Sequence, residues 1–300
     1  MAVSVHFVRN MNRREFLYTA LFTALTAKPL ARALEPDNAF RRNLGLQLYT
    51  LRNELAKDTP GTMKAVAAAG YQQAEMFGFP NCDPVIAAAR ECGLALNSSH
   101  FEWDSVVNPS DSSYSDFRRI LEKANRVGLT HLVIPYLAEQ NRRTLDDYRQ
   151  VAAHANRAAA LAKQAGIQLS YHNHAFEFEP KEGGTTGFDV FKAEFSPEMQ
   201  FELDVFWVKV GGVEPVELIR RLSGRVAQLH LKDLKAGLAL PAFGSIPPEA
   251  FKELGNGIIP MEPLLVAAKA AGVKHCHVEQ DHSPDPLASI RQSVVYLKSL

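Results

Sequence analysis

From residue 44 onward the chain repeats one pattern: a short apolar run, a polar junction, and an amphipathic stretch that ends near a glycine. This alternation constrains the fold more than any single motif does. Parallel strands need a crossover of a dozen or more residues between them, and a helix is the usual way to make it. Strands are predicted at Leu44–Thr50, Tyr71–Met76, Leu94–Ser99, His131–Pro135, Ile167–His172, Met199–Asp204, Val226–Leu231 and Val273–Glu279. Helices are predicted at Thr62–Ala69, Pro84–Glu91, Ser115–Val127, Leu145–Ala165, Pro215–Leu222 and Pro263–Ala271. Gly70, Gly93, Gly128, Gly166 and Gly272 sit between a helix and the next strand, where a left-handed helix cap is expected. Eight strands in roughly 255 residues fit a closed (β/α)8 TIM barrel. A doubly wound open sheet would normally carry a glycine-rich turn after its first strand, and Leu48-Tyr49-Thr50-Leu51-Arg52 is not one. No long linker or internal repeat divides residues 34–300, which read as a single domain.

Residues 1–33 read as an address. Asn12-Arg13-Arg14-Glu15-Phe16-Leu17 precedes an uncharged, mostly apolar run, Tyr18 to Ala27, and then Ala31-Arg32-Ala33, a small-x-small cleavage pattern. The run is far short of the ~20 residues that span a bilayer. Two adjacent arginines followed by Phe-Leu resemble a twin-arginine export signal. The expectation is a periplasmic or otherwise exported protein with no stable membrane association once the signal is removed.

The whole chain balances 33 basic against 33 acidic residues. Residues 1–33 hold five of the basic residues (Arg9, Arg13, Arg14, Lys28, Arg32) and one acid, Glu15, so the remainder carries 28 basic against 32 acidic. A slightly acidic body lacks the basic footprint of a nucleic-acid binder. Cys82, Cys92 and Cys276 are odd in number and lack ligand spacing, so neither a disulfide framework nor a zinc motif is expected.

In such a barrel the chemistry gathers at the C-terminal ends of the strands. The third predicted strand runs into His100 and Glu102, and the fifth into His172, Asn173, His174 and Glu177. The sixth ends at Glu202-Leu203-Asp204 with Trp207 beyond, the seventh at His230-Leu231-Lys232-Asp233, and the eighth at Glu279-Gln280-Asp281. Any one of these residues alone is weak evidence: Asp204 could cap the following turn, and Glu279 could be a surface acid. Four consecutive strands each delivering imidazole or carboxylate to one face form an oxygen and nitrogen donor set suited to a divalent cation. Carboxylates so crowded would repel one another without a cation among them.

These segments, Tyr171-His172-Asn173-His174-Ala175-Phe176-Glu177-Phe178, Glu202-Leu203-Asp204 with Trp207, Leu229-His230-Leu231-Lys232-Asp233, Leu254-Gly255-Asn256-Gly257 and Val278-Glu279-Gln280-Asp281, resemble the sugar phosphate isomerase/epimerase group of xylose-isomerase-like TIM barrels. With Leu46 to Arg52 on the first strand, the resemblance extends over essentially the whole of residues 34–300. It implies one Mn, Mg, Co or Zn ion held by a Glu–Asp–His–Glu quartet, by position Glu177, Asp204, His230 and Glu279. Many members carry the first glutamate within strand five, where this chain has His172, so His172 or His174 remains open as a substitute for Glu177. The resemblance further implies proton transfer by Glu177 and Glu279, with His100, His174 and Lys232 as further candidates. Tyr49, Glu102, His172, Trp207 and Asp281 are candidates for substrate binding, and Phe101 for the apolar wall.

The function expected is isomerisation or epimerisation of a keto-sugar or related polyol through an enediolate-type intermediate. Elimination from a keto-sugar or keto-glycoside shares its first step, and a non-catalytic sugar-binding barrel is a third reading. The related abasic-site endonucleases need a multi-zinc cluster and a basic groove, which the acidic body does not supply. Export argues for a free or glycosidic oxidised sugar over a phosphorylated one. Lys235–Pro248 is expected to form an extended loop beside the pocket, and self-association is left open.

Overall fold

The computed structural model describes Phe40 and residues 43–300, all within one compact unit, Pro36–Leu300. The expected export segment lies outside the described residues. Among those described, no helix is long and apolar enough to cross a membrane.

Eight parallel strands close into a barrel: β1 (Gly45–Gln47), β2 (Gln73–Phe79), β3 (Ala95–Phe101), β4 (His131–Ile134), β5 (Gln168–His172), β6 (Met199–Asp204), β7 (Val226–Leu231) and β8 (His275–Val278). Each pairs with the next in sequence, and β1 closes onto β8 with Gly45 opposite His277 and Leu46 opposite Val278. A side chain at residue 45 would collide with the His277 ring and the Cys276 carbonyl, so only glycine allows this closure. Leu132, Leu169, Phe201 and Leu229 are fully or almost fully buried on the strands, as are Met63, Ala155 and Leu264 on the helices.

All eight strands fall where expected, β6 and β7 with the expected bounds. β1 stops at Gln47, three residues early, because the Gln47 side chain accepts the N–H of Tyr49 and opens a 3-10 turn over Leu48–Leu51. β2 runs on to Phe79, held by pairing of Phe79 with Phe101 of β3. Helices at Gly187–Glu194, Val205–Val210 and Pro286–Ser299 were not foreseen. Val205-Phe206-Trp207-Val208 has strand-like composition, but the Asp204 carboxylate accepts the N–H groups of Phe206 and Trp207 and starts a helix there.

After β7 a two-residue ribbon, Asp233–Leu234 paired antiparallel with Phe251–Lys252, ties down the base of the expected loop at 235–248. Buried Asp233 accepts the N–H groups of Leu234, Gly255, Gly257 and Ile259 at 2.9–3.0 Å, which explains the Leu254-Gly255-Asn256-Gly257 segment. A Cβ on Gly257 would fall on the Asp233 carboxylate and the Leu234 carbonyl. Gly257→Ala is therefore expected to lower the unfolding free energy by about 1–3 kcal/mol, the usual cost of overpacking. Urea unfolding of the variant checks this, and an unchanged midpoint contradicts the packing described.

Candidate metal centre and active site

The ends of β5 to β8 place His172, Asp204, His230 and Glu279 so that one ligand atom from each lies within 4.8 Å of the others. All four are at least 95% buried. The register accounts for this: Asp204 of β6 stands opposite His230 of β7, and His230 opposite His277 of β8, two residues before Glu279. Asp204 does two things at once. Its Oδ1 caps the helix that follows, and its Oδ2 faces the cluster, 3.4 Å from His172 Nε2 and 3.1 Å from Lys232 Nζ.

Polar atoms without hydrogen bonds concentrate here. Neither ring nitrogen of His172 has a hydrogen-bond partner, nor does Asp204 Oδ2. Buried polar groups are ordinarily satisfied, and exceptions at a clustered donor set point to an ion. Burial holds His172 below the ordinary imidazole range, which leaves its nitrogen lone pair available as a ligand. Burial opposes charge at Glu279 as well, but Lys232 and His230 outweigh it and keep the group well below the ordinary carboxylate range. The donor set, two imidazoles and two carboxylates with no thiolate, fits a divalent cation.

Lys232 is 1% exposed and anchors the acids, with Nζ 2.8 Å from Glu279, 3.0 Å from Asp281 and 3.1 Å from Asp204. Burial lowers the affinity of its amine for a proton, but Asp204, Asp281 and Glu279 outweigh that and hold it well above the ordinary lysine value. Above the cluster opens a cavity of about 510 Å³ lined by His100, Glu102, His172, His174, Lys232, Glu279 and Asp281 and by aromatic walls from Tyr49, Phe101, Trp103, Tyr136 and Trp207. His174 stacks on Phe176 with ring centroids 5.3 Å apart and lies 5.2 Å from Trp207; its Nδ1 has no partner. Tyr49 stands exposed at the mouth, and Glu102 accepts a hydrogen bond from Asn81 at the rim. His100 turns inward, its Nε2 3.0 Å from Glu202 and 3.3 Å from Glu75.

Glu177 does not join the donor group. Its carboxylate accepts the Tyr171 hydroxyl and the backbone N–H of His174, six and three residues away. The fifth-strand position in the group is taken by His172, which the β5 register delivers directly. Sequence reasoning also passed over Glu75, in the middle of β2, whose carboxylate lies beneath His230. A carboxylate within a predicted strand, between Ala74 and Met76, was the available signal.

Burial pushes the Glu177 carboxyl up to about 7 from its ordinary 4.5, against the lowering effect of the Tyr171 hydroxyl. The unfolded chain therefore releases this proton first as pH rises, and stability contributed by the protonated group is lost between about pH 4.5 and 7. Glu177→Gln is expected to flatten that part of the stability profile in urea unfolding between pH 5 and 8. A slope unchanged by the substitution contradicts the assignment.

A sequence profile of the xylose isomerase-like TIM barrel family matches residues 63–300. The fold is similar to a sugar phosphate isomerase/epimerase from Parabacteroides distasonis, at 26% identity and TM-score 0.68, covering 86% of this chain and 94% of that one. It is also similar to the probable 3-DHS dehydratase involved in petrobactin synthesis from Bacillus anthracis (11% identity, TM-score 0.64, 85% of this chain and 98% of that one). A third similar structure is the IOLI protein with a bound zinc atom (12% identity, TM-score 0.62, 86% and 98%). At these identities the last two speak to the fold alone. Curated proteins yield no match to the chain. With the profile covering most of its length and a closed eight-stranded barrel beneath it, this chain belongs to the xylose isomerase-like TIM barrel family.

Proposed function

We propose that the protein is a divalent-metal-dependent isomerase or epimerase acting on an unphosphorylated keto-sugar or related polyol. The observation that carries this is the buried His172–Asp204–His230–Glu279 group, with unpartnered ligand atoms, at the floor of an aromatic-walled cavity. Held there, Mn, Mg, Co or Zn would supply the electrophilic pull on substrate oxygens that eases removal of an adjacent C–H proton. Glu279 is the base: it lines the cavity, and Lys232 keeps it ionised and oriented. His174, held well below the ordinary imidazole range by burial, stays neutral, and its Nδ1 exchanges protons with the substrate. The aromatic walls pack against the apolar faces of sugar rings.

The preference for an unphosphorylated substrate comes from the cations of the cavity. Lys232 is committed to three carboxylates, and Arg52 donates to the backbone carbonyls of Tyr49 and Asp281. Residues 1–33 support the same choice, since an exported enzyme meets free sugars and glycosides. Cell fractionation that recovers the native protein in the cytoplasm with residues 1–33 intact contradicts this part.

A second reading, elimination from a keto-sugar or keto-glycoside, draws on one observation. Burial pushes the Asp281 carboxyl up to about 6, which suits it to protonate a leaving group. Product analysis separates the two readings, because only elimination releases a fragment or water.

Metal content of the purified protein tests the ligand set. About one divalent ion per chain is expected, lost in His172→Ala and Asp204→Ala and retained in Glu177→Gln. Glu279→Gln is expected to lower kcat on keto-sugars by about 10²–10⁴, the usual worth of a positioned base. Retention in His172→Ala, or loss in Glu177→Gln, contradicts the assignment.

A further inference from the structure

Beneath the proposed cation site lies a second buried group, Glu75, His100, Glu202 and His230, whose ligand atoms also lie within 4.8 Å of one another. The two groups share His230. Its Nδ1 faces upward, 2.9 Å from Glu279; its Nε2 faces downward, 2.7 Å from Glu75 and 3.2 Å from Glu202. One imidazole thus joins two clusters that could each be taken for a metal site.

Their hydrogen bonding tells them apart. In the lower group, Glu75 Oε1 accepts from Gln47 and sits against His230, while Oε2 accepts from Ser98 and Gln228. Glu202 Oε1 accepts from Gln228 at 2.8 Å, and Oε2 pairs with His100 at 3.0 Å. No carboxylate oxygen of the lower group lacks a hydrogen bond, whereas the upper group leaves both His172 nitrogens without one and Asp204 Oδ2 held by its ion pair with Lys232. A cation in the lower group would have to break hydrogen bonds at every carboxylate oxygen, whereas one in the upper group would find the His172 nitrogens free and displace the His230–Glu279 contact and part of the Lys232 ion pairing.

We infer that Glu75, seconded by Glu202, is a positioning residue that fixes the His230 ring with Nδ1 presented to the upper group. An imidazole ligand binds through one nitrogen, and the other N–H donates to an oxygen that sets tautomer and ring orientation. Glu75 supplies that oxygen from β2, three strands round the barrel from β7. Gln228 joins the two carboxylates, with its amide nitrogen near Glu75, Glu202 and Ser98 together. His230 is further confined by stacking on His100, ring centroids 5.4 Å apart and planes at 22°. The inference rests on the reading of the upper group as the cation site.

The test is zinc titration of the purified protein by calorimetry, with Glu75→Gln and Ser98→Ala compared to wild type. Glu75→Gln removes the charge beneath His230 and is expected to weaken zinc binding by about 10–100-fold, the usual effect of losing such a partner. Ser98→Ala removes a hydrogen bond from the far side of the same carboxylate and is expected to bind zinc like wild type. Nitrogen-15 spectra of the zinc-loaded wild type, assigned with His230→Asn, are expected to show a protonated, hydrogen-bonded Nε2 on His230. This measurement decides the matter if Glu75→Gln fails to fold. Equal affinity for Glu75→Gln and wild type, equal weakening of both variants, or a zinc-loaded wild-type His230 protonated on Nδ1 overturns the positioning role and leaves the cation site standing. A wild-type protein that binds neither zinc nor manganese overturns both.

Discussion

Buried Glu75, Glu202, Asp204 and Glu279 converge inside the barrel with the half-buried Asp281 at its mouth, and among the described residues the ammonium set among them is that of Lys232. Each buried ion costs several kcal/mol in lost hydration unless hydrogen bonds and opposite charge offset it. The interior answers in two ways. In the lower layer neutral donors from Gln47, Ser98 and Gln228 satisfy the glutamates. In the upper layer Lys232 offsets part of the charge, and His172, Asp204, His230 and Glu279 form a donor group that could hold a divalent cation. The chemistry proposed above follows from this concentration of charge within an apolar shell of strands and helices.

The barrel geometry arranges that charge in layers. Side chains alternate inward and outward along a strand, so inward residues recur every second position. β7 with the residue beyond it shows this most plainly: Gln228 lies in the lower layer, His230 between the layers and Lys232 in the upper one. β6 repeats it with Glu202 below and Asp204 above. A histidine placed between two such layers, with one nitrogen toward each, couples the deep network to the surface of the cavity.

Much of this was legible in the sequence. Glycines after helices and short, largely apolar runs before polar junctions marked all eight strands. Ligand-type residues at the ends of β5 to β8 marked the site. The helix at Val205–Val210 was hidden because its β-branched and aromatic residues favour a strand, and the capping role that the sequence allowed Asp204 pointed to a turn rather than to a helix. Glu177 was favoured as a ligand on family position, but the chain turns its carboxylate onto Tyr171 and His174, and a five-residue offset from the strand end cannot say which way a turn will point it. Glu75 gave only a weak signal, since its role depends on a residue 155 positions away across the barrel.

The most direct test of the account is a crystal structure of the protein grown with manganese, with anomalous scattering recorded at the manganese edge. The expected result is a single strong peak bound by His172, Asp204, His230 Nδ1 and Glu279, with Glu75 beneath the opposite nitrogen of His230. A peak bound by Glu177, a peak between Glu75 and Glu202, or no peak at all would contradict it.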